Sequence, residues 1–188
     1  EEFDISRVSR KPASFDPDKL DWMNEQWIKR LGVSDRTERL IPFLSNAGLI
    51  EPEPGAHERK RLEKIVALLD DRVKLLADIG DLAGFFLARD IDYDKIAVSK
   101  VLAKPGAGEI LAGLHRVLSG CADFSPEALE TAIRAFAEES GLSLGKVAQP
   151  LRVALTGRTA SPGIFETLSL LGKDAALARI ERARELAE

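Results

Sequence analysis

The stretch of this chain best suited to chemistry runs from residue 145 to residue 164. Its formal charges are Lys146, Arg152 and Arg158, all of them positive and with no acidic residue among them. Lysine and arginine side chains carry hydrogen-bond donors and no acceptors. The stretch is therefore suited to bind a partner that is polar and rich in electrons.

Proline, glycine and serine divide that stretch into elements. Pro150 lacks an N–H, so it predicts the start of a short helix, or a break, with the helix ending at Gly157. Ser161 followed by Pro162 predicts the N-cap and first turn of the next helix. The connector at 157–160 would then lie between one helix end and one helix start. Free N–H groups at a helix start also favour an electron-rich partner.

Residues for catalysis or for metal binding do not group in the sequence. His57 and His115 are far apart, and the single Cys121 cannot complete a zinc site. No Gly-rich phosphate loop of the P-loop or dinucleotide-binding type occurs. The carboxylates fall mostly on helix faces that we expect to be solvated. We therefore expect no active site in this segment.

Length, charge and composition limit the classes of protein to which this chain can belong. The 188 residues allow one large domain or two small ones. The net charge of −4 argues against an indiscriminate nucleic-acid binder, although it is compatible with a local basic face, and we expect no DNA partner. With an aromatic content of 6%, we do not expect a base-stacking platform of the RRM or OB type. The uncharged runs are too short to cross a membrane, so no membrane partner is expected. A single cysteine favours a reducing compartment, and we expect a cytoplasmic protein.

Apolar spacing, with glycines at element ends, predicts an all-α fold. Trp22 and Trp27 are expected to be core or interdomain anchors. We expect a compact helical cage of two small helical subdomains, with a leading segment at 1–32 and subdomains at 33–92 and 93–188. The predicted helices lie at about 17–31, 34–48, 56–77, 82–87, 94–103, 106–119, 126–140, 144–156, 162–171 and 174–187.

Several segments, taken in order, resemble the C-terminal anticodon-binding part of bacterial glutamyl-tRNA synthetase, a class I aminoacyl-tRNA synthetase. The first two follow the position of that family's KMSKS-type loop, and the rest form its C-terminal signature. They are Phe-Asp-Ile-Ser-Arg-Val-Ser at 3–9, Ala-Ser-Phe-Asp-Pro-Asp-Lys-Leu-Asp-Trp-Met-Asn at 13–24, Ala-Gln-Pro-Leu-Arg-Val-Ala-Leu-Thr-Gly at 148–157, Ser-Pro-Gly-Ile-Phe at 161–165 and Leu-Leu-Gly-Lys at 170–173.

The resemblance implies a fragment of a ligase rather than a whole one. No HIGH-type motif and no KMSKS loop is present. We expect ATP and Mg²⁺ to bind in the absent catalytic part and this segment to need no cofactor. The chain would then bind tRNA(Glu), with tRNA(Gln) as an alternative, without charging it. We expect a monomer.

The family's reader of the third anticodon base matches Arg72. That base is cytosine in glutamate tRNA, and its pairing edge offers O2 and N3 as acceptors to a guanidinium. Guanine, the third base of glutamine anticodons, presents N1–H and N2–H₂ donors instead. The alternative is that Arg72 forms an ion pair with Asp70, Asp71 or Glu63.

Three further positions carry over from the family's second subdomain. Arg152 matches an arginine that contacts the anticodon, Ser161 a position often held by threonine, and Ile164 an apolar residue near the same bases. Capping by Ser161 and core packing by Ile164 are the competing interpretations. Lys146 and Arg158 are expected to contact phosphates, which position RNA without specifying it.

A second function class fits the acidic net charge. The chain would then be a helical protein–protein adaptor with no role in RNA binding. Salt dependence separates the two hypotheses, because RNA binding through several phosphates weakens steeply as salt is added.

Overall fold

The computed structural model describes residues 15–187, apart from the side chain of Asp71. Within these residues the chain forms ten α-helices and no strand, so the all-α prediction is confirmed. Residues 3–14, which carry part of the family resemblance, lie outside the described residues. The helices are α1 (Pro17–Arg30), α2 (Val33–Asn46), α3 (Ala56–Leu69), α4 (Ile79–Leu87), α5 (Lys95–Ala97), α6 (Ala107–Gly120), α7 (Pro126–Glu139), α8 (Leu144–Thr156), α9 (Ile164–Leu171) and α10 (Lys173–Glu185).

Helix starts follow the capping chemistry in two of the predicted places. The side chain of Asp16 accepts a hydrogen bond from the N–H of Lys19 at 3.1 Å, and Pro17 occupies the first turn of α1. Ser125 likewise accepts from the N–H of Ala128 at 3.4 Å at the start of α7. Each cap satisfies an N–H that has no partner inside its own helix.

The predicted roles of Ser34 and Pro150 at helix starts are wrong. Ser34 does not cap α2, because that helix already begins at Val33 with Gly32 before it. Pro150 neither starts nor breaks α8, which runs through it from Leu144 to Thr156. An interior proline costs a helix about 3 kcal/mol. Pro150 is buried within the helical core, and packing of its ring offsets part of that cost.

The long helix predicted for 56–77 ends early, at Leu69. Asp70 adopts a positive φ of 27°, and a short 3₁₀ turn, Asp70–Arg72, follows it. Two adjacent acids at a helix C-terminus are unfavourable because that end of the helix already carries partial negative charge. The buried Arg36 donates to Oδ1 of Asp70 at 3.2 Å and stabilises the turn. Arg72 therefore lies on an exposed turn and not on a helix face.

The buried apolar side chains form one continuous cluster that extends from Leu40 in α2 to Ala183 in α10. In the second half of the chain, α10 packs against α6 and α8, and α7 packs against α9. α9 also contacts α3 and α4, and so joins the early helices to the late ones.

A buried arginine ties three of these helices together. Arg179 of α10 is 6% exposed and donates from Nη1 to the carbonyl oxygens of Phe85 (2.7 Å) and Leu155 (2.8 Å), and from Nη2 to that of Ala88 (2.8 Å). These carbonyls belong to the last turns of α4 and α8, where they have no partner inside the helix. The guanidinium also lies at the negative ends of both helix dipoles.

Gly157 brings the segment before α5 against the end of α8. It adopts φ = 71°, and its carbonyl accepts a hydrogen bond from the N–H of Asp94 at 2.9 Å. A Cβ at this position would lie 2.0 Å from the carbonyl oxygen of Asp92. Glycine is thus required here both for its backbone angle and for the close approach.

α1 carries an apolar face that the described chain does not cover. Trp22 and Trp27 are 59% and 62% exposed, so neither is a core anchor in the described part of the chain, and the alternative of an interdomain anchor stays a prediction. Ile28 is the buried residue of this helix, and Asn24 donates to the carbonyl of Lys74 at 2.6 Å. The guanidinium of Arg30 lies 4.8 Å from the ring centroid of Trp27.

The close approach at Gly157 is testable with one substitution at two glycines. We expect Gly157→Ala to lower the free energy of unfolding by about 1–3 kcal/mol more than Gly141→Ala does. Gly141 has a similar φ of 66° but open space around its Cβ position, so its variant carries only the backbone penalty of about 1–2 kcal/mol. Urea unfolding measures both variants. Equal losses would show that the contact with Asp92 is not limiting.

The arginine that joins the helix ends is tested by charge-preserving substitution. We expect Arg179→Lys to destabilise the fold by about 1–3 kcal/mol for each carbonyl left without a partner, because one ammonium cannot occupy the positions of both Nη atoms. Arg182→Lys is the matched control on the same helix. Its exposed ion pair with Asp90 (2.9 Å) should contribute no more than about 1 kcal/mol. Similar midpoints for the two variants in urea would contradict the proposed role of Arg179.

Candidate nucleic-acid interface

Arg72 is exposed on the turn that ends α3. It has no hydrogen bond or ion pair with any described side chain or backbone group. Asp70, one of the partners considered for it, pairs with Arg36 instead. The side chain of Asp71 lies outside the described structure. The guanidinium of Arg72 is therefore available to a partner.

Arg152 projects from α8 toward the connector that leads into α9. Its Nη1 donates to the carbonyl oxygens of Ser161 (3.2 Å) and Pro162 (2.9 Å), and also to the hydroxyl of Ser161. Its Nε and Nη2 have no partner among the described residues, and neither is a buried unsatisfied atom. Water, or a ligand, can therefore reach them.

The fold brings Arg72 and Arg152 close enough for their charges to interact. The pKa of the Arg152 guanidinium lies below its ordinary value, first because the group is half-buried and second because the positive charge of Arg72 is near it. No ion pair with a carboxylate involves either arginine in the described structure. Two like charges that lie near one another and form no ion pair with a described carboxylate favour an anionic or acceptor-rich partner. Residue spacing did not predict this proximity; the family resemblance implied it by assigning both arginines to the anticodon.

The predicted capping role of Ser161 is wrong. α9 begins at Ile164, and its N-cap is Gly163, which has no side chain to cap with. The hydroxyl of Ser161 accepts from Arg152 and donates to the carbonyl oxygen of Pro162 at 2.9 Å. Ser161 therefore holds Arg152 in place.

A carboxylate that the sequence analysis did not consider lies at the start of α9. A Cβ on Gly163 would be only 2.1 Å from Oε2 of Glu166, so that carboxylate lies over the first turn. An acid in the first turn already complements the positive end of the helix dipole. The expected attraction of this helix start for an anion is thereby reduced, and the arginines supply the positive charge of the site. An acid at the third helical position was the signal available in the sequence.

The remaining predicted site residues differ in exposure. Ile164 is 6% exposed and packs in the core, immediately after the connector. Arg158 is exposed, and its Nη1 donates to the carbonyl oxygen of Asp81 in α4 at 3.2 Å. Lys146 is exposed on α8 and has no partner among the described residues. Phosphate contacts by Lys146 and Arg158 stay predictions.

Thr156 is a positioning residue that sequence reasoning missed. Its hydroxyl donates to the carbonyl of Arg152 at 2.8 Å and accepts from the N–H of Arg158 at 3.2 Å. It thus fixes the end of α8 between two of the predicted binding arginines. A threonine directly before Gly157 was the only sign in the sequence.

Other kinds of site find little support in residues 15–187. Their histidine, cysteine and carboxylate side chains form no cluster of three or more suited to a metal ion. None of the described helices combines the length and the apolar character needed to cross a membrane.

Comparison with known proteins points to one family. A family model described as an anticodon binding domain matches residues 35–184. Curated glutamate–tRNA ligases from Moorella thermoacetica and Geobacter sulfurreducens are 36% and 39% identical over 97% of this chain. The chain spans only 37% and 38% of their lengths.

Solved structures agree with the sequence comparison. A crystal structure of a glutamate tRNA ligase from Elizabethkingia meningosepticum superposes with a TM-score of 0.84 at 26% identity, covering 100% of this chain and 36% of the other. Glutamate-tRNA synthetase from Elizabethkingia anophelis superposes with a TM-score of 0.80. The resemblance read from the sequence is confirmed: the chain belongs to the anticodon-binding domain family, in the form found in glutamate–tRNA ligases.

Proposed function

We propose that this chain reads the anticodon of tRNA(Glu) for a glutamate–tRNA ligase. The observation that carries the proposal is that Arg152 is anchored to the connector through Nη1 alone and leaves Nε and Nη2 open. Arg72 is exposed, has no ion pair with a described residue, and is near enough for its charge to lower the pKa of Arg152. Single-stranded loops are recognised when their bases are splayed out and hydrogen-bonded on their edges. Two open guanidinium groups offer donors for such edges.

Arg72 is assigned to the third anticodon base. Cytosine presents O2 and N3 to the guanidinium, whereas guanine presents N1–H and N2–H₂ donors that would stay unpaired against it. Each desolvated donor without a partner costs about 1–3 kcal/mol, which corresponds to tens- to hundredfold discrimination. The proposal therefore favours glutamate over glutamine anticodons, with tRNA(Gln) as the weaker partner.

Arg152 is assigned a second role in the same site. Its Nη1 is held by the connector at Ser161 and Pro162, which leaves Nε and Nη2 to donate to a neighbouring base. Ser161 fixes that orientation. Ile164 lies beneath the connector and would contact the bases only through a small exposed fraction. Lys146 and Arg158 would meet phosphates.

The ligase reaction itself belongs, in this proposal, to a longer protein. The relatives are glutamate–tRNA ligases of which this chain matches little more than a third. ATP and Mg²⁺ would bind in a catalytic part, while residues 33–92 and 93–188 form two anticodon-binding units. We propose a cytoplasmic monomer in which this segment selects the tRNA without charging it.

The role of Arg72 predicts base discrimination at one position. We expect the chain to bind a stem-loop whose third anticodon base is cytosine about tens- to hundredfold more tightly than the same stem-loop with guanine at that base. Arg72→Met should abolish that ratio, because no donor would then face the base. Arg134→Met is the control, since it removes one exposed arginine from α7 and changes net charge equally. Fluorescence anisotropy measures the six affinities of the three proteins for the two loops, and a cytosine preference that survives in Arg72→Met would refute the assignment.

Salt dependence separates RNA binding from a protein-adaptor role. For a single-stranded loop, log K should fall by about 0.7 per phosphate contact for each tenfold increase in salt. We therefore expect a slope of about −1.4 or steeper if Lys146 and Arg158 both contact phosphates. A titration of the stem-loop at several salt concentrations gives the slope. If no RNA binds at low salt, the adaptor hypothesis becomes the better one.

A further inference from the structure

A large groove lies beside the arginine site, and of its lining residues only Lys146 has a role in the assignments above. It is bordered by α6, α7, α8 and the helical segment around residues 98–104, and its volume is about 1360 Å³. Pockets for small molecules measure about 300–1,000 Å³. The groove is thus larger than a metabolite requires and suits a segment of polymer.

Four cations line this groove: Lys100, Lys104, Arg116 and Lys146. All four are exposed, and none has an ion pair or side-chain hydrogen bond with another described residue. Glu109 is the single carboxylate among the lining residues. In a chain with a net charge of −4, this local excess of positive charge favours a polyanion.

An aromatic ring forms part of the groove wall. Phe136 of α7 is half-buried and lines the groove, with its ring packed against the backbone of α6. Gly113 makes that packing possible, because a Cβ there would lie 2.4 Å from Cζ of Phe136. A partly exposed ring beside cations that lack ion pairs is a combination that binds single-stranded nucleic acid, by stacking on bases and attracting phosphates.

The groove is continuous with the anticodon site. Gln149 lines the groove one helical turn before Arg152 on α8, and residues three apart are neighbours on a helix surface. Thr159 also lines it and belongs to the connector that carries Ser161. A strand of RNA bound at Arg152 can therefore continue into the groove without crossing another helix.

We propose that this groove binds the RNA strand next to the anticodon, with an unpaired base stacked on Phe136 and phosphates held by Lys100, Lys104 and Arg116. The inference rests on the proposed anticodon-reading function and extends it to nucleotides that Arg72 and Arg152 do not reach. An acidic peptide could form ion pairs with the four cations, but it would not explain why the groove continues into the proposed site for unpaired bases.

The cations are tested as a group. We expect Lys100→Gln/Lys104→Gln/Arg116→Gln to weaken binding of the stem-loop between about tenfold and a hundredfold at 0.1 M salt and to reduce the log–log salt slope by about 2. The control is Lys19→Gln/Lys64→Gln/Arg134→Gln, which removes the same charge from exposed positions outside the groove. Equal effects of the two triple variants would overturn the proposal, because only overall charge would then matter.

The ring is tested against the RNA itself. We expect Phe136→Leu, which removes the aromatic face but keeps an apolar side chain, to weaken binding about five- to 150-fold. Loops with an abasic nucleotide at each position flanking the anticodon locate the stacked base. At one position, the loop without its base should bind the wild-type protein as weakly as the intact loop binds the Phe136→Leu variant. Combining that abasic loop with Phe136→Leu should cause no further loss of affinity. If Phe136→Leu weakens every loop equally, the ring supports only the fold and the stacking proposal is wrong.

The two proposals fail in different ways. If the wild-type chain binds no stem-loop, the anticodon-reading function itself is wrong. If it binds and discriminates cytosine from guanine, yet the groove variants match their controls, only the groove inference falls. Preferential binding of an acidic peptide over the stem-loop, lost in the groove triple variant, would overturn it as well.

Discussion

The guanidinium of Arg179 lies where the C-terminal ends of α4 and α8 meet, and the position of the binding residues depends on it. Burial lowers the pKa of this group, yet no carboxylate among the described residues pairs with it. Carbonyls from both helix ends supply the compensating partial charge. The hydroxyl of Tyr93 donates to the carbonyl of Ala154 at 3.0 Å beside it. These contacts fix the last turn of α8, and hence where Arg152 and its connector lie relative to α4. The hydrogen bond from Arg158 to the carbonyl of Asp81 spans the same gap farther out.

The described arginines without carboxylate partners fall into two groups, one that stabilises the fold and one that is open to a ligand. Arg179 directs both Nη atoms inward to carbonyls, and its Nε is buried without a partner, so nothing remains for a ligand. Arg152 donates hydrogen bonds to the connector from one nitrogen and leaves its other two nitrogens open. Arg72 donates no hydrogen bond to any described residue. The number of donors left free, rather than the residue type, separates the structural arginine from those suited to bind RNA.

The helices and the family resemblance could be predicted from the sequence. The contacts between segments that are distant in the sequence could not. Capping residues such as Asp16 and Ser125 act locally, so their helix starts were predictable. The break at Asp70 was missed because apolar periodicity continues through it, although the Asp-Asp pair at a helix end was visible. Pro150 was misread because tertiary packing outweighed its local cost. The exposed face of Trp22 and Trp27 shows that helical spacing identifies an apolar face without identifying what covers it. The division at residue 93 stays a prediction, since one apolar cluster extends across it.

The acidic net charge and the basic surface are complementary features of the proposed function. A protein that is positive overall attracts any RNA, because phosphate attraction carries no sequence information. In a chain with a net charge of −4, the cations around Arg72, Arg152 and the adjoining groove favour RNA binding at that face. An RNA that cannot bring its unpaired bases to the arginines and its phosphates to the groove loses the contacts that this face offers. Selection then depends on the shape and bases of the loop, which is what an anticodon reader must distinguish among tRNAs of nearly identical charge.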